Sequence, residues 1–255
     1  MSIDQHRGKA ASSGSSSRSR LALMGAMLLL VGVFTALGSW QVQRLFWKLD
    51  LIARVDARVQ AQAVPAPSRA EWEAVGAEKD EYRRVTVTGD FEHGKTVLVQ
   101  AVTERGAGFW VLTPMHRQDG STVLINRGFV PADRRDASDR AQGNIAGAVE
   151  VTGLLRMSEP GGAFLRSNDP ANERWFSRDV AAIAASKGLV DVAPYFVDAD
   201  ATPVAGGLPI GGLTIVRFRN SHLVYALTWY TLAIMSTAGG RLVYSRRAVR
   251  ESRHL

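Results

Sequence analysis

LALMGAMLLLVGVFTALGSWQVQ, Leu21–Gln43, carries no charged side chain, and its length decides the architecture. At 1.5 Å per helical residue, about 20 residues cross a hydrocarbon layer of roughly 30 Å. Backbone amides inside lipid must find partners within their own segment, so the stretch is expected to be a helix. Two readings compete for it, a membrane span and a secretory signal. The uncharged run is longer than an ordinary signal core, and Ala36-Leu37-Gly38 runs on into Ser39-Trp40 without an A-x-A exit. The span is the expectation.

A second uncharged run, NSHLVYALTWYTLAIMSTAGG, fills Asn220–Gly240 between Arg219 and Arg241. It is long enough to cross and less aliphatic. The rival reading is a buried core helix, against which the arginine cluster that follows it argues. Charge supports the span. Residues 1–20 hold Arg7, Lys9, Arg18 and Arg20 against Asp4; residues 241–255 hold Arg241, Arg246, Arg247, Arg250 and Arg253 against Glu251. The segment between has as many acidic as basic side chains, so the net +7 resides in the tails. The positive-inside rule then places both termini in the cytoplasm and the middle outside it. A neutral middle also removes the case for nucleic-acid binding.

The expected order is a disordered basic tail (1–20), a first span (21–43), an amphipathic helical extension (44–64), an extracytoplasmic domain (65–219), a second span (220–240) and a basic tail (241–255). In the extension, Val42, Leu45, Leu49, Ile52, Val55 and Val59 recur at helical spacing. VPAPS (64–68) reads as a linker that ends it. Beyond it the period becomes two. Strands are predicted at 85–89, 96–100, 109–115, 122–130, 149–155, 194–199 and 213–218, with a hairpin turn at QDGS (118–121). Residues 133–147 read as an exposed loop, and 178–187 as a helix capped by Ser177 and stopped by Gly188. The fold class is a membrane protein whose N- and C-terminal helices flank one β-rich α+β domain.

Composition narrows the chemistry. The chain has no cysteine, which excludes disulfides, thiolate metal sites and cysteine nucleophiles. Its methionines, at 1, 24, 27, 115, 157 and 235, are too scattered for a copper(I) site. No G-x-S-x-G, H-E-x-x-H or P-loop pattern occurs, and no catalytic residue is assigned. The unusual feature is His222, just inside the outer end of the second uncharged run, with Tyr225 and Trp229 at helical spacing. An imidazole there is either a hydrogen-bonded structural group or an axial ligand to haem iron. Arg217, Arg219, Arg44 and Lys48 fall at the same membrane level. They either contact phospholipid or hold haem propionates. Trp40, Gln41, Arg44 and Trp47 form either a partner-docking face or an interfacial anchor.

An ordered set of blocks resembles the surfeit locus 1 family of cytochrome c oxidase assembly factors. They are LGSWQVQRLFWKLDLI (37–52), YRRVTVTGDF (82–91), GFWVLTP (108–114), VLINRGFVP (123–131), VTGLLRMSE (151–159), NERWFSRD (172–179), PYFVD (194–198) and NSHLVYALTWY (220–230). The resemblance implies a multi-pass protein of the bacterial inner membrane, without catalytic turnover, whose central domain is periplasmic. It implies help in assembling haem-copper oxidase where haem a enters subunit I, with His222 tied to the haem. Implied partners are cytochrome c oxidase subunit I, haem a synthase, other assembly factors and the lipid bilayer. The alternatives are a scaffold for subunit or copper-site assembly that binds no haem, and a membrane-anchored enzyme.

Overall fold

Alternating Val and Thr make β2 (Arg84–Phe91), whose Val85 and Val87 turn inward while the residues between face out. The computed structural model describes residues 13–163, 165–216 and 218–251. Around β2 run β1 (Val64–Pro65), β3 (Val97–Thr103), β4 (Gly106–Arg117), β5 (Thr122–Pro131), β6 (Ala148–Met157) and β7 (Val192–Ala199). The sheet order is β1-β2-β6-β7-β5-β4-β3. The end of β2 also pairs with β4, through Gly89–Arg117, Asp90–His116 and Phe91–Met115. Strands β2, β6, β7, β5 and β4 therefore close on themselves into a barrel, which leaves fewer open edges than a flat sheet would.

The barrel interior is Val85, Val87, Met115, Val123, Ile125, Leu155, Tyr195 and Val197. Tyr195 gives its hydroxyl proton to the Pro67 carbonyl at 2.8 Å, and burial pushes its pKa up to about 12. The alternate residues of the same strands, Leu112, Leu124 and Phe196, face outward onto a second core with Val97, Val99, Trp175, Val180 and Ile183. Val180 and Ile183 come from α3 (Val180–Lys187). The other helices are α1 (Ser13–Gln60), the single turn α2 (Ala77–Asp80) and α4 (His222–Glu251). The chain divides into two compact units, Ala53–Arg217 around the barrel, and Met1–Ile52 with Phe218–Leu255.

The predicted strands form except the last. Residues 213–216 and 218 make no strand, although LTIVRF has strand composition. The approach to it is already committed elsewhere: Ile210 bridges Phe129, the Gly212 amide donates to Ala199, and Thr214 gives its hydroxyl proton to Asp198. The VPAPS linker instead supplies β1, parallel to β2, with Ala66 buried. Proline is tolerated there because the strand lies at a sheet edge. The loop at 133–147 contains two 3-10 segments, Ala132–Arg134 and Ala137–Gly143, with Gly143 buried. Asp179 rather than Ser177 caps α3, accepting from the Ala182 amide at 3.1 Å, and Gly188 ends it in the left-handed region. The extension expected to reach residue 64 stops at Gln60, and residues 13–20 of the expected tail are helical. Residues 1–12 and 252–255 of the tails lie outside the described residues.

Four of the sequence blocks meet at one buried carboxylate. Asp198, 3% exposed on β7, accepts from Asn126 Nδ2 at 2.7 Å, Arg156 Nη1 at 2.9 Å, Arg178 Nη1 at 3.1 Å and Thr214 Oγ1 at 2.8 Å. Arg156 also binds Glu81 at 2.9 Å, and Arg178 Nε binds Glu159 at 3.0 Å. Burial opposes the charge on Arg156. Asp198 and Glu81 outweigh that and hold its pKa above the ordinary value. The network ties β5, β6, β7 and the segment before α3 together.

Candidate functional site

Leu21 begins the stretch of α1 that is long and apolar enough to cross a membrane, and among the described residues α1 is the one helix that meets this measure. Helix α4 does not, because Thr228, Thr231, Ser236, Thr237 and the aromatic Tyr225, Trp229 and Tyr230 dilute its aliphatic side chains. Each of those hydroxyls nevertheless donates to the carbonyl four residues earlier, at 2.8–2.9 Å.

The two helices run antiparallel within their unit. A Cβ built on Gly240 would lie 3.6 Å from Met27 Cβ. Phe34 stacks on Trp229 at 5.7 Å, Ser39 and Tyr230 share a hydrogen bond at 3.2 Å, and Gln41 meets His222. Partners rise along α1 as they fall along α4. Met24, Met27, Val31, Phe34, Gly38, Gln41, Leu45 and Lys48 recur at three and four residues, the spacing of a coiled-coil seam. Gly38 is required at this seam, because any Cβ would sit 2.8 Å from the Tyr230 ring. Ala226 and Ala233 are buried on the α4 side. Gly32, by contrast, faces open space and stands off the seam.

At the seam's end the His222 Nδ1–H donates to Gln41 Oε1 at 2.7 Å. That bond fixes the imidazole tautomer and leaves the Nε2 lone pair for a proton or a metal ion. The His222 amide is bonded to Asn220 Oδ1 at 3.4 Å.

The other expected residues distribute unevenly. Trp229 joins the seam, whereas Tyr225, one turn before it, is 54% exposed. Arg44 and Lys48 follow Gln41 along α1: the Arg44 guanidinium lies 4.1 Å from the Trp47 ring centre, and Lys48 Nζ lies 4.8 Å from the Phe218 ring. Trp40 and Trp47 face outward, 55% and 48% exposed. Arg219 is exposed, and Arg217 lies outside the described residues. The unforeseen partner was Gln41 as the group that orients His222; the two are 181 residues apart, and no local pattern links them.

In the barrel unit the remaining histidines are engaged separately. His116 Nε2 binds Glu92 Oε2 at 2.8 Å, and His93 Nε2–H donates to the Ile145 carbonyl at 3.0 Å. Among the described residues no cluster of three or more His, Asp or Glu side chains could hold a metal ion.

The model of the SURF1 family matches residues 28–234. Surfeit locus protein 1 of Mus musculus is 38% identical over 224 residues, covering 81% of this chain and 70% of the mouse protein. The Homo sapiens protein is 37% identical over 230 residues, covering 83% and 74%. A SURF1-like protein of Caenorhabditis elegans is 32% identical over 232 residues, covering 82% and 70%.

Proposed function

This chain belongs to the SURF1 family, and from that premise we propose that it is a membrane-held assembly factor for cytochrome c oxidase that hands haem a towards subunit I. The family resemblance supports the oxidase role. The observation that carries the haem step is the His222–Gln41 hydrogen bond, which leaves Nε2 available at the end of a two-helix seam. Haem offers iron for the imidazole and carboxylates for nearby cations. Arg44, Lys48 and Arg219 supply those cations, and exposed Trp40 and Trp47 suit an oxidase helix or the lipid interface.

In this reading α4 is the second span. Its hydroxyls are satisfied by its own carbonyls, which removes most of the cost of placing them in lipid. The basic tails put both ends in the cytoplasm and the barrel on the periplasmic side of a bacterial inner membrane. The protein holds cargo and performs no turnover.

The test is an absorption spectrum of the full-length protein, purified in detergent from cells making haem a. Wild type should carry a Soret band, and His222→Ala should lose or shift it. Gln41→Leu should keep His222 as the iron ligand and weaken haem retention, because the ring loses its orienting acceptor. An identical Soret band in wild type and His222→Ala would remove the haem site. His222 would then serve only to clamp α4 to α1, as expected of a scaffold.

A further inference from the structure

Arg127 follows Ile125 on the inward face of β5 and reaches the barrel mouth where β2 ends and β6 begins. The mouth holds a partly open cavity of about 150 Å³, walled by Phe91, Ile125, Val149, Val151 and Val204, with Arg127 among them. Strand β5 can pass here because Gly128, at φ 130°, leaves room for the Ile210 carbonyl, which a Cβ would meet at 2.2 Å.

Arg127 bonds no carboxylate among the described residues. Its guanidinium donates to Asn144 Oδ1 at 2.9 Å, to His93 Nδ1 at 3.3 Å and to the Gly143 carbonyl, and lies 5.1 Å from the Phe91 ring centre. None of these partners is a carboxylate: they are an amide oxygen, a backbone carbonyl and the His93 Nδ1 that accepts from the guanidinium. The residue is only 6% exposed. Burial, with the charge of Arg140 added, lowers its pKa to about 10, so it remains a cation at neutral pH. The carboxylates that line the cavity are turned to other uses: Asp200 accepts from Thr202 at 2.6 and 3.0 Å and lies 3.8 Å from Arg84, and Glu150 is exposed.

We propose that this barrel mouth is a binding site for a small organic monocarboxylate, whose carboxylate meets Arg127 and whose short apolar tail fills the cavity. A buried charge without a counter-ion is costly, and a desolvated guanidinium is matched best by a planar two-oxygen anion. The described bonds use three of the five guanidinium N–H donors, leaving two for a guest. Barrel mouths are common ligand sites. Apolar cavities of about 150 Å³ hold benzene-sized guests, which limits the tail to a short chain or single ring. This site lies wholly in the barrel unit and does not depend on the haem reading.

The full-length protein in detergent, freed of small anions by dialysis, is titrated with sodium butyrate and sodium benzoate while its melting temperature is followed. Sodium chloride at equal ionic strength is the reference, and sodium phosphate is the competing anion. Butyrate or benzoate should raise the melting temperature saturably beyond chloride. Arg127→Gln should raise the half-saturating concentration about tenfold or more. Val151→Phe, which fills the cavity and leaves Arg127 in place, should abolish the response and covers the case in which Arg127→Gln fails to fold. A response no greater than with chloride, or one undiminished in Val151→Phe, overturns the site. Saturation by phosphate but by neither carboxylate overturns the ligand class.

Discussion

Replacing Asp198 by Asn keeps the size of the side chain and removes the more deeply buried of the two carboxylates, Asp198 and Glu159, that Arg156 and Arg178 share. The side chains of these arginines are each 13% exposed, and that of Asp198 is 2% exposed, so solvent screens the group little. Asparagine could still accept from Thr214 or one guanidinium, but two cations would then share a site with reduced compensation. Removing one member of a buried ion pair costs about 3–5 kcal/mol. Glu81 and Glu159 remain on the outer side of the arginines and soften the loss, which favours the lower end. Against a total stability of roughly 5–15 kcal/mol this is a large fraction. The melting temperature of a unit this size should fall by roughly 10 °C. Urea unfolding of the detergent-solubilised protein, followed by tryptophan fluorescence, measures it. Amide exchange should rise first in β5, β6 and β7, which the carboxylate connects. A loss below about 1 kcal/mol, the range of exposed pairs, would refute the assignment of Asp198 as the hub of the barrel.

The absence of native cysteine allows a clean crosslink: Met27→Cys with Gly240→Cys should form a disulfide on mild oxidation, because the Cβ separation of 3.6 Å suits one. Failure to crosslink would contradict the antiparallel seam. The Glu92 carboxyl is held below its ordinary value of 4.5 chiefly by the His116 hydrogen bond. Its contribution should therefore be complete above pH 4.5 and be lost as pH falls through the lower folded value, so Glu92→Gln should flatten the acid limb of a stability–pH curve. The effect is small because both side chains are partly exposed, and an unchanged acid limb would discount the bond. A reporter active only outside the cytoplasm should give signal when fused after Gly207 and none when fused at Leu255; the reverse would overturn the proposed topology.

The strands were legible because Val recurs at every second position in 85–89, 96–100 and 149–155, and period two survives without knowledge of partners. The same signal misled at 213–218, where composition favours a strand but β5 already has β4 and β7 on its two sides. VPAPS misled in the opposite direction, since proline discourages a strand prediction yet suits a two-residue edge pairing. The Asp198 network was invisible for a different reason. Its partners Asn126 and Arg156 stand 72 and 42 residues away, so only the closed barrel brings them together. At the candidate site the sequence pointed to both His222 and Gln41 but could not pair them. Tyr225 shared the helical spacing and was placed with His222, yet it stays 54% exposed beside the seam.

The proposed role of His222 in haem a delivery is tested most directly by the haem a content per subunit I of cytochrome c oxidase purified from cells whose only copy of this protein carries His222→Ala. The oxidase should be recovered with less haem a than from wild-type cells, while other haem proteins in the same membranes keep normal content. Full haem a occupancy of the oxidase in the variant cells would contradict that role.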